Sequence, residues 1–251
     1  MFSGAIHDEP KMGQGIVCGG KSSRLLLETS RSKMMVDRRM FLSGMVAAGL
    51  APGMANASGT HVWSFDVARN GSNIGRHDVA VNINGSKLVA RTSIIFEIGF
   101  GPIVLYRYNH EIEENWLGNE IQTISAYTNR DGRETSLRLA RDNNQFVGKL
   151  NDKQVQLPLH RPTAYWNMSL PGSQNLIETQ DGQVFRLQWT SQDDMISYKG
   201  KRIPAKRWQS DGDLEITLLT TEKFGWSGMR FDFKDASFTY TARELGSFIK
   251  R

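Results

Sequence analysis

The stretches Trp63-Ser64-Phe65-Asp66-Val67-Ala68-Arg69-Asn70-Gly71 and Val79-Ala80-Val81-Asn82-Ile83-Asn84-Gly85 decide the fold of this chain. In each, apolar side chains recur at every second position, and each run stops at Asn-Gly. A period of two sends Trp63, Phe65 and Val67 to one face of an extended strand and Ser64, Asp66 and Ala68 to the other. Asn-Gly supplies two residues that tolerate positive φ, as the tightest hairpin turns require. These are antiparallel hairpins, not helices.

Working outward, the same pattern persists. Leu88–Ile98 is stopped by Gly99-Phe100-Gly101-Pro102, Ile103–Trp116 by Leu117-Gly118-Asn119, and Ile121–Thr128 by Asn129-Arg130-Asp131-Gly132. Ser136–Arg141, Phe146–Leu150 and Gln154–Leu157 read as shorter strands. Residues 158–182 interrupt the rhythm with Pro158, Pro162, Pro171 and Gly172, which predicts a loop region with one helical turn near 163–167. Strands resume at Val184–Thr190, Ile196–Lys199, Arg202–Gln209, Leu214–Thr221, Met229–Phe233 and Ser237–Arg243. Connections this short exclude parallel crossovers. The expected fold class is all-β: a long antiparallel meander of about eleven to thirteen strands in one strongly curved sheet or open barrel.

Composition divides the chain of 251 residues in two. Residues 1–57 hold seven basic and four acidic side chains, the single Cys18, and seven of the ten Met; 22 of the 24 aromatic residues lie beyond them. Within Met35–Ala57, a charged start, an apolar run from Met40 to Leu50 and the small-x-small triplet Ala55-Asn56-Ala57 make a signal peptide with cleavage expected after Ala57. Arg38-Arg39-Met40-Phe41-Leu42 resembles a twin-arginine signal, departing from it at Asp37 and Ser43. The twin-arginine translocase is then the partner during export, and the periplasm of a Gram-negative type cell the destination. Residues 1–34 carry no helical or strand period; they are expected to be a disordered extension, with translation starting at Met34 or Met35. Residues 58–251 form a single β domain, whose 24 basic and 22 acidic side chains leave no basic stripe for nucleic acid. No apolar run is long enough to span a bilayer as a helix.

The densest set of chemically capable residues is Tyr106-Arg107-Tyr108-Asn109-His110-Glu111-Ile112-Glu113-Glu114-Asn115-Trp116. Tyr106, Tyr108, His110, Glu114 and Trp116 share one face of a strand, which makes them candidate ligand-binding residues together with Tyr165 and Trp166 in the loop region. An aromatic wall bearing a few polar groups is the usual lining of a small-molecule pocket. The same pattern also describes a packed core face in which His110 and Glu114 are hydrogen-bonded to their neighbours. His110 and Glu114 lie about 13 Å apart along the strand, too far to share one zinc, whose ligands sit about 2 Å away. His77 follows a turn, where an exposed strand start is expected, although a pairing with a carboxylate would make it a candidate base. No nucleophile motif, metal-ligand spacing or cofactor motif marks the mature chain, so neither metal nor cofactor is expected. Asp211-Gly212-Asp213 with Glu215 reads as a turn.

Taken in order, Ile74-Gly75-Arg76-His77, Tyr106-Arg107-Tyr108-x-His110-x-x-x-Glu114-x-Trp116, Thr128-Asn129-Arg130-Asp131-Gly132, Pro162-Thr163-Ala164-Tyr165-Trp166, Glu178-Thr179-Gln180-Asp181-Gly182 and Gly212-Asp213-Leu214-Glu215 resemble a family of exported bacterial proteins of unknown function. That resemblance implies a single periplasmic β domain and no catalytic residue. In outline only, a curved antiparallel sheet is similar to periplasmic lipoprotein carriers and lipocalin-like binders. The expected function is binding or carrying an apolar or amphipathic ligand on the concave aromatic face. Two alternatives stand beside it: a periplasmic enzyme using His77, His110 and Glu114, or an envelope protein that binds a partner through an exposed apolar patch.

Overall fold

The computed structural model describes residues 58–100 and 103–247, the side chain of Phe100 excepted. The extension and the signal, residues 1–57, lie outside the described residues. Fifteen strands form one sheet and no helix occurs among the described residues. β1 (Ser58–Arg69), β2 (Ser72–Asn84), β3 (Lys87–Phe100), β4 (Ile103–Leu117), β5 (Glu120–Arg130), β6 (Arg133–Asp142), β7 (Gln145–Leu150) and β8 (Lys153–Pro158) pair in sequence order. After the short β9 (Arg161–Pro162) and β10 (Asn175–Ile177) come β11 (Val184–Tyr198), β12 (Lys201–Gly212), β13 (Thr217–Thr221), β14 (Gly225–Phe233) and β15 (Ala236–Glu244). β15 pairs with β1, so first and last strands are neighbours at the centre of the sheet and β8 and β9 are its two edges.

The turns form where Asn and Gly permit them. Asn70 and Gly71 take φ of 49° and 82°, and Gly85 takes 59°, the left-handed values that tight hairpins need. Gly75, at φ 153°, passes so close to β3 that any Cβ would collide with the Ile95 carbonyl oxygen.

Edge position dictates curvature. Fifteen strands spaced about 4.8 Å apart run to roughly 70 Å across. Yet only Leu159 and His160 join the edge strand β8 to the edge strand β9, a link that reaches at most about 11 Å. The sheet must therefore curl until its edges meet. No ladder joins β8 to β9 among the described residues, so the barrel stays unclosed by hydrogen bonds. Leu157 packs across this seam, its Cδ1 lying 3.0 Å from where a Cβ on Gly182 would be.

Two expectations need correction. Residues 163–167 make no helical turn: backbone bonds from Asn167 to Ala164, Leu170 to Asn167 and Ser173 to Leu170 build successive turns instead. β11 is one strand where two were expected, because the polar run Ser191–Asp194 is held by pairing to Trp208, Arg207, Lys206 and Ala205 on β12 and not by burial. The β9–β10 pair is parallel, Leu176 opposite Arg161, within an otherwise antiparallel sheet; the intervening turns give the chain length to return.

Alternate side chains point inward throughout: Trp63, Phe65 and Val67 from β1, His77, Val79 and Val81 from β2, Ile94 and Phe96 from β3. The segment from Arg161 to Gln183 lies against this concave face. Its Thr163, Ala164, Tyr165, Trp166, Leu170, Leu176, Ile177, Glu178, Thr179 and Gln180 are all buried.

Candidate functional site

Cross-strand register decides which inward residues meet. Ile94 of β3 stands opposite His77 on one side and His110 on the other, and His110 stands opposite Thr128 of β5. The two histidines thus occupy one row, two strands and about 10 Å apart. Tyr108 and Ile112 flank His110 along β4, and Glu114 and then Trp116 follow on the same face.

His110 is 1% exposed. Its Nδ1 lies 2.8 Å from Thr128 Oγ1 and 3.3 Å from the Tyr127 carbonyl oxygen, while Nε2 lies 3.0 Å from Thr179 Oγ1. A carbonyl only accepts, so this arrangement puts the proton on Nδ1 and makes the Thr179 hydroxyl the donor to Nε2. Burial pushes its pKa down to about 4, the charge of Glu178 opposing that fall. His77, expected at an exposed strand start, is 2% exposed. Inward alternation on β2 overrides the proximity of a turn. Its ring stands edge-on to Trp226 at 4.9 Å and to Tyr240 at 5.6 Å, and burial lowers its pKa to about 3, with His110 adding a smaller push. Both imidazoles are neutral at physiological pH.

Glu114 has no exposed surface. Trp116 Nε1 donates to its Oε2 at 2.9 Å. Oε1 and the indole Nε1 of Trp166 are each buried without a bond of good geometry, although the two indoles, edge to face at 5.9 Å, both favour the charged carboxylate. Desolvation outweighs them and lifts the pKa from 4.5 to about 7. Arg161 caps the Trp116 ring, its guanidinium carbon 5.7 Å from the centroid.

At the row of Tyr108, Arg130 of β5 donates through Nη2 to Gln180 Oε1. Gln180 in turn donates to Glu178 Oε1 from its backbone and its side chain, at 3.1 and 3.2 Å. The Glu178 charge raises the hydroxyl pKa of Tyr108 and Tyr165, secondary to their burial. Tyr106 is half-buried, one row farther out.

Of the sequence candidates, Tyr108, His110, Glu114, Trp116, Tyr165 and Trp166 are buried together between the sheet and the inner segment. His77, His110 and Glu114 do not converge: among the described residues none donates to another, and each has its own surroundings. The void beside Trp116, Arg161, Pro162, Ala164, Asn167 and Leu170 has no room for a water molecule. An open polar groove of about 480 Å³, lined by Gln174, Arg186, Asp211 and Asp213 among others, touches none of the candidates. Among the described residues no group of three or more His, Cys, Asp or Glu side chains lies close enough to hold a metal.

The family described as "Domain of unknown function (DUF6134)" matches residues 65–243, which hold all the residues of the polar row. The chain belongs to that family. No curated protein and no solved structure matches it.

In this DUF6134 protein, sequence reading missed Thr128, Arg130, Thr179, Glu178 and Gln180 as members of the polar row. Glu178-Thr179-Gln180-Asp181-Gly182 carries the signature of a surface turn, and it does turn: Gly182 N donates to the Glu178 carbonyl at 2.9 Å. What hid its role is that the turn is tucked inside the curl. The only sequence signal for that burial is the apolar pair Leu176-Ile177 immediately before it.

Proposed function

We propose that this is an exported binding protein, delivered to the periplasm by the twin-arginine route, which takes an apolar or amphipathic ligand onto its concave aromatic face in place of the segment Arg161–Gln183. One observation carries the reading: the contact between that segment and the sheet is incompletely satisfied. His77 Nδ1 and Tyr165 OH are buried there without a hydrogen bond, and Glu114 Oε1 and Trp166 Nε1 meet without good hydrogen-bond geometry. Native interiors pair the large majority of such groups, and each unpaired one costs about 1–3 kcal/mol. A core selected only for stability would place apolar side chains at these positions. A ligand with an apolar body and a polar head covers the same rings and supplies partners for the orphaned atoms.

Palmitate is the test probe, followed by the fluorescence of the interior indoles and by native mass spectrometry. Replacing Leu157 and Gly182 by Cys, with Cys18 changed to Ser, puts two thiols at the seam, where the Leu157 side chain reaches the space a Cβ on Gly182 would fill, and their oxidation to a disulfide, checked by mass, pins it. Palmitate binding is expected in the reduced pair and lost in the oxidised one. Equal binding in both states, or no binding by the unaltered protein, refutes the reading.

A further inference from the structure

Three consecutive residues at the start of β4 break the strand rule. Ile103, Val104 and Leu105 are 60%, 39% and 64% exposed, and Ile95 on the adjacent strand is 46% exposed. Opposed residues of a ladder share a face, and a bulge leaves Leu105 unpaired, so the β3–β4 tip presents apolar surface on both sides: Val104, opposite Gly99, on the outer face with Ile95, and Ile103, opposite Phe100, on the inner face. Its backbone is drawn tight, because a Cβ on Gly99 would collide with the Ile103 carbonyl oxygen.

We propose that this tip is a membrane-docking wedge that enters the surface of a lipid bilayer. A groove on a folded partner, or a second copy pairing sheet to sheet, covers one face of a hairpin and leaves the other in water. A bilayer surrounds both. The order of residues behind the tip also matches the depth profile of a membrane. The apolar Ile103-Val104-Leu105 is followed by Tyr106 and then Arg107, whose exposed guanidinium pairs with Glu97 at 3.2 Å. Aromatic and basic residues in that order occupy the interface between hydrocarbon and water. Arg76, opposite Ile95, and Arg133, at the β5–β6 turn beside the base of β4, add cations at the same level. The other large exposed apolar side chains, Leu117 and Met195, lie elsewhere on the sheet. The docking site is independent of whether the concave face binds palmitate.

The test is co-sedimentation of the full chain with vesicles of phosphatidylethanolamine and phosphatidylglycerol at three to one. Ile103→Ser combined with Leu105→Ser is expected to weaken partitioning roughly ten- to a hundred-fold, from the apolar area lost. Both side chains are exposed, so the melting temperature should hold, and the leader is common to both proteins. A fluorophore on Val104→Cys, with Cys18→Ser, should shift its emission to the blue when vesicles are added. Unchanged partitioning of the double variant, or a water-like fluorophore, overturns the proposal. So does a dimer in vesicle-free buffer that the double variant converts to monomer.

Discussion

Glu114→Gln separates the cost of a buried carboxylate from the rest of the core. The native carboxyl titrates near 7 instead of 4.5 because it is desolvated. A pKa raised in the folded state favours the protonated form, so this group is harmless below pH 4.5 and penalises folding increasingly as pH rises toward 7 and beyond. At 1.36 kcal/mol for each pKa unit, the penalty grows by about 2 to 3 kcal/mol between pH 5 and pH 8. Gln keeps an oxygen to accept from Trp116 Nε1 and carries no charge. The variant should therefore be equal to or slightly less stable than the native protein at pH 5 and more stable at pH 8. Urea unfolding at the two pH values measures the difference directly, provided the m-value is unchanged. Parallel stability profiles for the two proteins from pH 5 to 8 would show that Glu114 is solvated or already paired, and the account of the site would fail with it.

The histidines carry the opposite sign. His77, lowered from 6.5 to about 3, stabilises the fold above pH 6.5 and loses that contribution on acidification; His77→Phe should remove about 3 kcal/mol of the native protein's loss between pH 7 and 4, read by the same urea titrations. Gly75→Ala forces a Cβ into the Ile95 carbonyl and is expected to cost about 3 kcal/mol, lowering Tm by roughly 6 to 12 °C in calorimetry; an unchanged Tm contradicts the close approach of β2 to β3. Exchanging Arg38 and Arg39 for Lys together should hold the protein in the cytoplasm, whereas in the unaltered protein the exported form should begin at Ser58 by N-terminal sequencing.

The meander was legible because each strand states its own period and each hairpin its own turn. Asn70-Gly71 takes the positive φ values that few other pairs adopt, while at the next hairpin Gly85 alone does so and Asn84 stays in the strand opposite Lys87; the inward set Trp63, Phe65, Val67, Val79 and Val81 follows from alternation alone. The shared face of Tyr108, His110, Glu114 and Trp116 was readable for the same reason. What lies opposite that face was not, since register between distant strands and the path of an irregular segment depend on the whole curl. His77 shows the limit. Its neighbours in sequence mark a strand start, yet its row is set by pairing to Ile94, and the row is interior. The same applies to Thr179, which reaches His110 across 69 positions of sequence.

The covalent path explains how a filled interior and a binding role are compatible. The inner segment leaves the sheet from one edge strand and re-enters it at the other, so it crosses the only line along which the curled sheet has no ladder. Withdrawing it breaks the short β10–β11 ladder, the Leu187–Gln174 backbone bond, the His110–Thr179 contact and the Arg130–Gln180 bond, and it leaves every ladder from β8 through β1 and β15 to β11 intact. A ligand arriving anywhere else would have to pull apart strands joined along their length, as β3 and β4 are from Lys87–Leu117 to Phe100–Ile103. Access through the seam therefore costs side-chain contacts and one three-pair ladder, where parting β3 from β4 costs a ladder along the whole of both strands, which is why pinning Leu157 to Gly182 tests a carrier against a closed core.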